Sequence, residues 1–329
     1  MVSALQKGKC NHQGIVLKAG EGGLTNKALA ASFLRTLLYF DVFSYPLTCD
    51  EIFNYSSWQN LDKNEGIKTL ENLLENQFIN THMGFYFLGE DSQKVSQRVA
   101  GNKLAVKRMK QARFFSGIIA SFPFTRGVYI SGSLSKGYMD NESDIDYFIL
   151  TSPGRLWLCR TMLVMFKKVF LLNSHKNFCI NYLVDTNNLE IKERNIYTAT
   201  EVALLLPMHN YRLFSEFMNV NSWLKDYYPR LSQGEGQPVK GFPFVKKVLE
   251  IILDNRLGDF LDNYFFRVTT KFWQKKHGKN EVSKPDSELF WNKHVSQYNP
   301  GHFRMNVLKR FRKKVDDFEA QYGFVVSEY

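Results

Sequence analysis

The sequence predicts an α+β fold in which a small mixed β-sheet is flanked by helices, with further helical regions on both sides of it in the chain. Between residues 126 and 231, short apolar runs alternate with segments of helical periodicity, the order typical of a sheet covered by helices. Residues 27–92 contain three helical segments followed by two short apolar runs. After a stretch rich in glycine at 232–241, apolar residues recur at helical spacing in two long segments, which predicts a C-terminal helical region over 242–329.

Composition sets the broad class of the protein. The chain has 329 residues, enough for two or three domains that each bury a core. Hydrophobic residues make up 44% and charged residues 23%, which is ordinary for a soluble globular protein. The formal net charge of +11 favours nucleic acid, nucleotides or an anionic surface as partners, although a basic balance that only aids solubility fits equally well.

Cysteine usage and hydropathy indicate a cytoplasmic protein. The four cysteines are scattered and form no C-x-x-C pair: Cys10, Cys49, Cys159 and Cys179. This pattern argues against a zinc site or a disulfide framework and favours a reducing compartment. Residues 1–27 do not resemble a secretory signal. The most apolar window, 156–172, is interrupted by Arg160, Lys167 and Lys168, so we expect no membrane span.

The first elements follow a Gly-rich stretch without periodicity, residues 1–26, which we expect to be a flexible tail. Apolar residues at helical spacing predict a first helix, and Thr48 followed by Glu51 is a capping box that opens a second. The predicted elements of this region are helices at Ala28–Phe40, Thr48–Tyr55 and Glu65–Asn76, and a hairpin of Phe78–Asn80 with Phe85–Leu88.

Three helices and a hairpin form a winged-helix-like domain, which we place at residues 27–92. Such domains contact DNA through the third helix. Here that helix and its start carry more acidic than basic residues: Asp62, Glu65, Glu71 and Glu75 against Lys63 and Lys68. Because an acidic helix is poorly suited to the phosphate backbone, we favour a structural or protein-contact role over DNA recognition.

A basic connecting helix is predicted at 93–125. Its cations are Lys94, Arg98, Lys103, Lys107, Arg108, Lys110 and Arg113. They form either a solvated face or a positive flank that attracts phosphate to a neighbouring pocket.

The stretch from Val128 to Leu150 carries the clearest chemistry. A short apolar strand runs into Gly132-Ser133, and ten residues later Asp144 and Asp146 stand one residue apart at the start of a second strand. Strand periodicity places both carboxylates on one face, where they repel each other unless a cation or a proton offsets their charge. A Gly-Ser turn before a helix offers N–H groups to an anion. The pattern indicates a site for a polyphosphate and its divalent metal; the alternative is a tight turn beside two solvated aspartates.

The remaining elements complete the core, which we place at 126–231, and the C-terminal region. We predict helices at Arg155–Phe170, Tyr197–Phe217 and Asn221–Tyr227, a strand at Phe178–Val184, a linker at 232–241, a long helix at Phe244–Trp273 and a last helix at His302–Tyr322. The last helix is expected to present a basic face made of Arg304, Lys309, Arg310, Arg312, Lys313 and Lys314. This face is a candidate surface for nucleic acid, with a simple solvated face as the alternative.

The central motif resembles the nucleotidyltransferase superfamily of polymerase-beta-like enzymes. The family pattern is hG[GS] followed by DhD, and here it reads Gly132-Ser133, ten residues, then Asp144-Ile145-Asp146. The flanking segments resemble bacterial proteins with a winged-helix-like start and a nucleotidyltransferase core. The resemblance implies a nucleotidyltransferase-type mixed sheet flanked by helices.

The resemblance also implies an activity: metal-dependent transfer of NMP from an NTP, with ATP the expected nucleotide, to an acceptor that the motif leaves open, with release of pyrophosphate. Asp144 and Asp146 are then the catalytic residues and hold Mg²⁺ or Mn²⁺. Gly132 and Ser133 contact the nucleotide phosphates. Lys136 adds a phosphate contact, or is a solvated lysine, and Asn181 lies at the nucleotide as well.

One position departs from the family pattern. Active members have a third acidic residue on a neighbouring strand, and the position of matching parity here is Asn181, which adds no negative charge. Asp185 shares the parity but lies about 13 Å farther along an extended strand, and Glu142 precedes the pair in its loop. An alternative function is therefore a catalytically weakened nucleotidyltransferase-fold protein that acts as a nucleotide-binding or nucleic-acid-binding regulatory module.

Overall fold

The computed structural model describes residues 26–174, 176–230, 238–277, 289–298 and 302–326. Apart from Asn26, the predicted N-terminal tail lies outside the described residues, as do positions 232–237 of the predicted linker. The described residues form a mixed α+β fold, as the sequence predicts. None of their helices is long and apolar enough to cross a membrane.

The secondary structure follows the predicted order with several added strands. The helices are α1 (Lys27–Asp41), α2 (Cys49–Tyr55), α3 (Lys63–Glu75), α4 (Gln93–Ala120), α5 (Gly132–Ser135), α6 (Leu156–Phe170), α7 (Ile196–Ala203), α8 (Tyr211–Val220), α9 (Pro243–Leu253), α10 (Arg256–His277) and α11 (Phe303–Tyr322). The strands are β1 (Leu47–Thr48), β2 (Asn80–His82), β3 (Phe85–Phe87), β4 (Thr125–Ser131), β5 (Asp146–Thr151), β6 (Cys179–Asp185), β7 (Leu206–His209), β8 (Leu289–Trp291) and β9 (Val295–Tyr298).

The chain divides into two compact units. The first contains the described residues within Met1–Ala100, Trp223–Ser232 and Val307–Tyr329, and the second contains those within Gly101–Ser222 and Gln233–Asn306. Each unit is therefore built from segments that lie far apart in the sequence. Two of the boundaries between the units fall inside helices, one in α4 and one in α11.

In the first unit, α1, α2 and α3 pack with a three-stranded antiparallel sheet of order β1-β3-β2. The capping box at the start of α2 forms as predicted, with the Glu51 N–H donating to Thr48 Oγ1 and the Thr48 N–H donating to the Glu51 carboxylate. From α11, Phe311 packs against Tyr39 of α1 and Phe318 packs against Phe78. The C-terminal part of the chain therefore contributes to the core of the N-terminal helices.

The second unit is built on a six-stranded mixed sheet of order β7-β4-β5-β6-β9-β8. Strands β4 and β5 are antiparallel, and β5 and β6 are parallel and joined by α6. The parallel pair requires such a crossover, because a short turn joins only antiparallel strands. The buried residues of its core include Val128, Ile130, Tyr147, Ile149, Trp157, Leu163 and Phe178. This register brings the end of β4 beside the start of β5, where the candidate site lies.

Three predicted segments differ from the structure. The helix predicted over Tyr197–Phe217 is interrupted by β7, an edge strand in which Pro207 pairs with Tyr129; proline suits an edge because it has no N–H to donate. Within the region predicted to be helical, 242–329, residues 289–298 form the β8–β9 hairpin, which joins the sheet beside β6. The helix predicted over Phe244–Trp273 is two helices, α9 and α10, separated at Asp254-Asn255.

Candidate functional site

The site begins at the turn between β4 and α5. Ser131, the last residue of β4, is paired in antiparallel register with Asp146, the first residue of β5. Gly132 follows with φ of +68°, and a Cβ built on it would lie 2.5 Å from Asp146 Oδ2. A side chain is therefore opposed both by the backbone conformation and by the carboxylate. The structure places the predicted Gly132 beside Asp146, with no room for a side chain between them.

The helix predicted after the Gly-Ser turn is short and begins at Gly132 itself. It is a single turn, Gly132–Ser135, and the chain turns away at Gly137, where φ is +71°. A single turn has little dipole, so an anion at this place would depend on individual N–H groups and side chains. Among the described residues, the Ser133 hydroxyl makes one weak contact, at 3.5 Å to Met139 Sδ, and it therefore retains the capacity to bond a ligand.

A hydrogen-bonded loop sets the position of the two aspartates. Asp140 accepts hydrogen bonds from the Glu142 and Ser143 N–H groups and from the Ser143 hydroxyl. Partial burial raises the Asp140 pKa, but these hydrogen bonds outweigh it and the pKa lies below its usual value. Asp144 follows this loop directly and Asp146 opens β5, so a closed turn leads into the carboxylate pair.

The surroundings of Asp146 disfavour the charged form of its carboxyl group. Burial raises its pKa to about 7, and the charges of Glu201 and Asp144 act in the same direction, while a hydrogen bond from the Cys179 thiol and the charge of Lys136 oppose them. Near neutral pH the carboxyl is therefore held between its two protonation states. A cation beside it would restore the charged form.

The neighbouring strand presents Cys179, and not Asn181, opposite Asp146. Cys179 is the register partner of Asp146 in the parallel β5–β6 pair, and a bulge between the Tyr147 and Phe148 pairs leaves Asn181 without a partner on β5. Strand periodicity cannot choose between Cys179 and Asn181, which lie two residues apart and share a parity, whereas the register of the parallel pair selects Cys179. Burial and the nearby Asp146 charge raise the pKa of the Cys179 thiol, so it stays neutral.

The predicted Lys136 forms an ion pair beside the aspartates with Glu201, which the sequence analysis did not identify. Lys136 Nζ donates to Glu201 Oε1 at 2.9 Å and to the Gly132 carbonyl at 3.0 Å. Both side chains are largely buried, and Glu201 is the larger of the two acidic influences on the Asp146 pKa. Lys136 is thus held at the turn, not extended into solvent. The signal in the sequence was weak: Glu201 is the single charged residue between Ile196 and Leu205.

The other acidic residues considered as a third ligand lie apart from the pair. Asp185 is fully buried at the opposite end of β6, in register with Thr151, and its carboxylate contacts His294 Nδ1 at 2.7 Å. It therefore helps join β6 to β9, which explains its burial without a ligand. Glu142 is exposed in the loop before Asp144.

The donor set fits a hard divalent cation only in part. Among the described residues, no group of three or more His, Cys, Asp or Glu side chains is arranged to hold a metal ion. Mg²⁺, however, is commonly bound by one or two carboxylates together with substrate phosphates and water. Asp144 and Asp146 supply two carboxylates, and beside them the buried Ser131 hydroxyl has no hydrogen-bond partner among the described residues. Two carboxylates are too few to enclose a cation, so an ion at this place would need further oxygen ligands from outside the chain.

The two basic surfaces are partly used inside the fold. On α4, Lys94 pairs with Asp41, Arg98 with Glu51, and Arg108 bonds to Asn177. On α11, the guanidinium of Arg304 is buried and bonded to Glu193, and Lys314 is bonded to Asp41. The exposed cations of the predicted α11 face are Lys309, Arg310, Arg312 and Lys313.

Comparisons of the chain with protein-family models, with curated proteins and with solved structures find no match. The site is therefore interpreted from its own geometry and from the motif at Gly132–Asp146.

Proposed function

We propose that the chain is a metal-dependent nucleotidyltransferase that moves NMP from an NTP, with ATP the expected nucleotide, onto an acceptor hydroxyl or phosphate and releases pyrophosphate. The proposal includes the finer fold assignment: the six-stranded sheet is of the nucleotidyltransferase type, and the first unit is winged-helix-like.

The contact between Gly132 and Asp146 carries the proposal. A phosphate-binding turn and a metal-binding carboxylate serve one substrate only if they lie side by side, and here Asp146 Oδ2 is 2.5 Å from the position that a Gly132 Cβ would take. The turn by itself accounts for a glycine with positive φ, but it does not require an aspartate carboxylate in the space where a side chain would lie. A site that must admit both a phosphate oxygen and its cation gives a reason for this arrangement.

Each residue has a distinct role in this proposal. Asp144 and Asp146 hold the cation, and the N–H groups of the turn with the Ser133 hydroxyl bind the outer phosphates. Lys136, fixed by Glu201, contributes a positive charge beside the turn. Bound Mg²⁺ or Mn²⁺ would neutralise charge on the phosphate under attack and on the leaving pyrophosphate.

The test is pyrophosphate release from labelled NTPs, together with equilibrium binding of each NTP in the presence and absence of Mg²⁺ or Mn²⁺. We expect metal-dependent binding and turnover in the unaltered protein, and loss of both when Asp144 and Asp146 are changed to alanine. Asp140→Asn is the matched control. It removes a carboxylate four residues from Asp144 but keeps an oxygen that accepts from the Glu142 and Ser143 N–H groups, so activity should stay close to that of the unaltered protein.

Two other outcomes would redirect the assignment. Metal-dependent NTP binding without turnover over a broad acceptor panel would favour a nucleotide-binding regulatory module. Cys179 supports this alternative, because a thiol pairs with Asp146 where a third carboxylate would be expected. Binding of DNA or RNA that weakens with salt and on changing Arg310 and Lys313 to glutamate would favour a nucleic-acid-binding role for the exposed face of α11.

A further inference from the structure

Helix α9 packs with its apolar face outward. Five apolar side chains on one face are exposed: Phe244 (79%), Val245, Val248, Ile251 (70%) and Ile252. The opposite, charged face points to the body of the second unit. There Lys246 Nζ donates to the Ala120 and Thr125 carbonyls, and Glu250 accepts from the Phe124 N–H and from Arg126. A helix that covers a globular core normally has the reverse orientation.

Helix α10, which follows α9 in the chain, has an exposed apolar face of its own. Five of its apolar side chains, spaced three or four residues apart and therefore on one face, are about half exposed or more: Leu257, Phe260, Tyr264, Val268 and Phe272. Its opposite face supplies the packing that the fold needs, with Phe266 and Trp273 against Trp157. The exposed stripe thus has no role in packing within the second unit.

The outward faces of α9 and α10 together are too large to be incidental. Ten apolar side chains, between 40% and 79% exposed, present in total on the order of 1,000 Å² of apolar surface. Soluble monomers rarely expose more than a few hundred Å² in one patch. Exposed apolar area of this size is typical of a face that binds a partner.

Charge identifies the kind of partner. The four acidic residues of this segment all bond to groups of the body: Glu250 to Arg126, Asp254 and Asp259 to Arg155, and Asp262 to Lys293 and the Leu158 N–H. The exposed cations have no ion pair with a described residue: Lys247, Arg256, Arg267, Lys271, Lys275 and Lys276. The outward surface combines apolar side chains with unpaired positive charge.

This combination distinguishes a lipid surface from a second copy of the chain. A two-fold dimer through the same face would set these cations against their own symmetry copies, which is destabilising. An anionic bilayer surface accepts both features, because apolar side chains enter the acyl boundary while lysine and arginine reach the headgroups. We propose that the outward face of α9 and α10 binds the surface of an anionic lipid bilayer, with both helices lying in the plane of the interface.

Vesicle flotation tests the proposal with the full chain. Binding is expected to vesicles of phosphatidylcholine mixed with phosphatidylglycerol, to fall as salt is raised, and to be much weaker with phosphatidylcholine alone. Phe260→Gln with Phe272→Gln should lower partitioning roughly a hundredfold. Lys271→Glu with Lys275→Glu should lower it roughly tenfold. The control, Phe114→Gln, alters an equally exposed phenylalanine on α4 and should leave partitioning unchanged.

The altered residues are about half exposed or more, so circular dichroism and thermal melting of the variants should match those of the unaltered protein. The proposal is overturned if the protein does not float with anionic vesicles, or if the control lowers flotation as much as the α10 variants. It is also overturned if the protein is a dimer in the absence of lipid and the phenylalanine variant makes it monomeric, since a second copy would then cover the face.

Discussion

Gly132 carries two separable constraints, and another glycine nearby carries only one of them. Both Gly132 and Gly137 have positive φ, +68° and +71°, but a Cβ on Gly132 would meet Asp146 Oδ2 at 2.5 Å, whereas a Cβ on Gly137 would have no atom within 4 Å. The difference between alanine substitutions at the two sites therefore isolates the contact with the carboxylate from backbone strain.

We expect Gly137→Ala to lower the free energy of unfolding by about 1 kcal/mol and Gly132→Ala by about 2–4 kcal/mol, measured by urea denaturation. Only Gly132→Ala should weaken metal-dependent NTP binding. In an Asp146→Ala background the extra cost at Gly132 should largely disappear, because the obstructing oxygen is gone. Equal costs at the two glycines would contradict the contact.

Asp146 gives the protein a pH dependence of defined sign. Its folded-state pKa of about 7 lies above the ordinary value of 3.8, so the folded protein binds this proton more tightly than the unfolded chain does. Stability is then greatest below the unfolded pKa and falls as the pH rises towards 7. In EDTA, Asp146→Asn should remove this loss and be the more stable protein at pH 8, by about 1–3 kcal/mol after allowance for solvent screening.

The advantage of Asp146→Asn should shrink as the pH falls towards 4, and melting curves from pH 4 to 8 measure it. Asp140→Asn is the control with the opposite sign, because the Asp140 pKa lies below its usual value. With Mg²⁺ and NTP in excess, the order should reverse, because ligand binding stabilises only the protein that keeps the carboxylate. A constant difference between Asp146→Asn and the unaltered protein over the whole pH range would contradict the account.

At the scale of single residues, the sequence predicts the glycine and the two aspartates of the site but not Cys179 and Glu201. Gly132, Asp144 and Asp146 lie within one short segment, so their pattern is visible in the sequence and the strand pairing places Gly132 beside Asp146. Cys179 and Glu201 come from β6 and α7. Their approach depends on a parallel register, a bulge and the packing of α7, which local periodicity does not encode.

At the scale of elements, the predictions agree best with the structure where a segment has a single pattern of apolar residues, of either helix or strand period, along its whole length. Strands β4 and β5 and helices α1, α3 and α6 each have a clear apolar face or run, and each was predicted. Strand β7 is not predicted because Leu204 and Leu205 extend the apolar pattern of α7. Strands β8 and β9 are not predicted because strands of three and four residues carry little signal in the sequence. For α9 and α10, periodicity predicted an apolar face but not the side of the helix that meets the protein.

At the scale of the whole chain, the winged-helix-like region proposed at 27–92 is not a complete packing unit. Its compact unit also contains the described residues within Trp223–Ser232 and Val307–Tyr329. Phe311 packs edge-to-face on Tyr39 at 5.4 Å between ring centroids, and Phe318 lies 5.8 Å from Phe78. The sequence predicted the buried face of α11 but gave no indication of what it covers, because that contact joins residues more than 200 positions apart.

This arrangement predicts a defined response to truncation of two aromatic side chains. Phe311→Ala and Phe318→Ala should each destabilise the first unit by about 3–5 kcal/mol, because each removes a large buried side chain and leaves a cavity. Hydrogen exchange should then accelerate at the amides of α1, while those of β5 in the second unit keep their protection. Arg310→Ala and Lys313→Ala, at exposed positions of the same helix, should change neither. Equal acceleration in α1 and β5 would show instead that the two units unfold together, and unchanged exchange in α1 would show that α11 does not stabilise it.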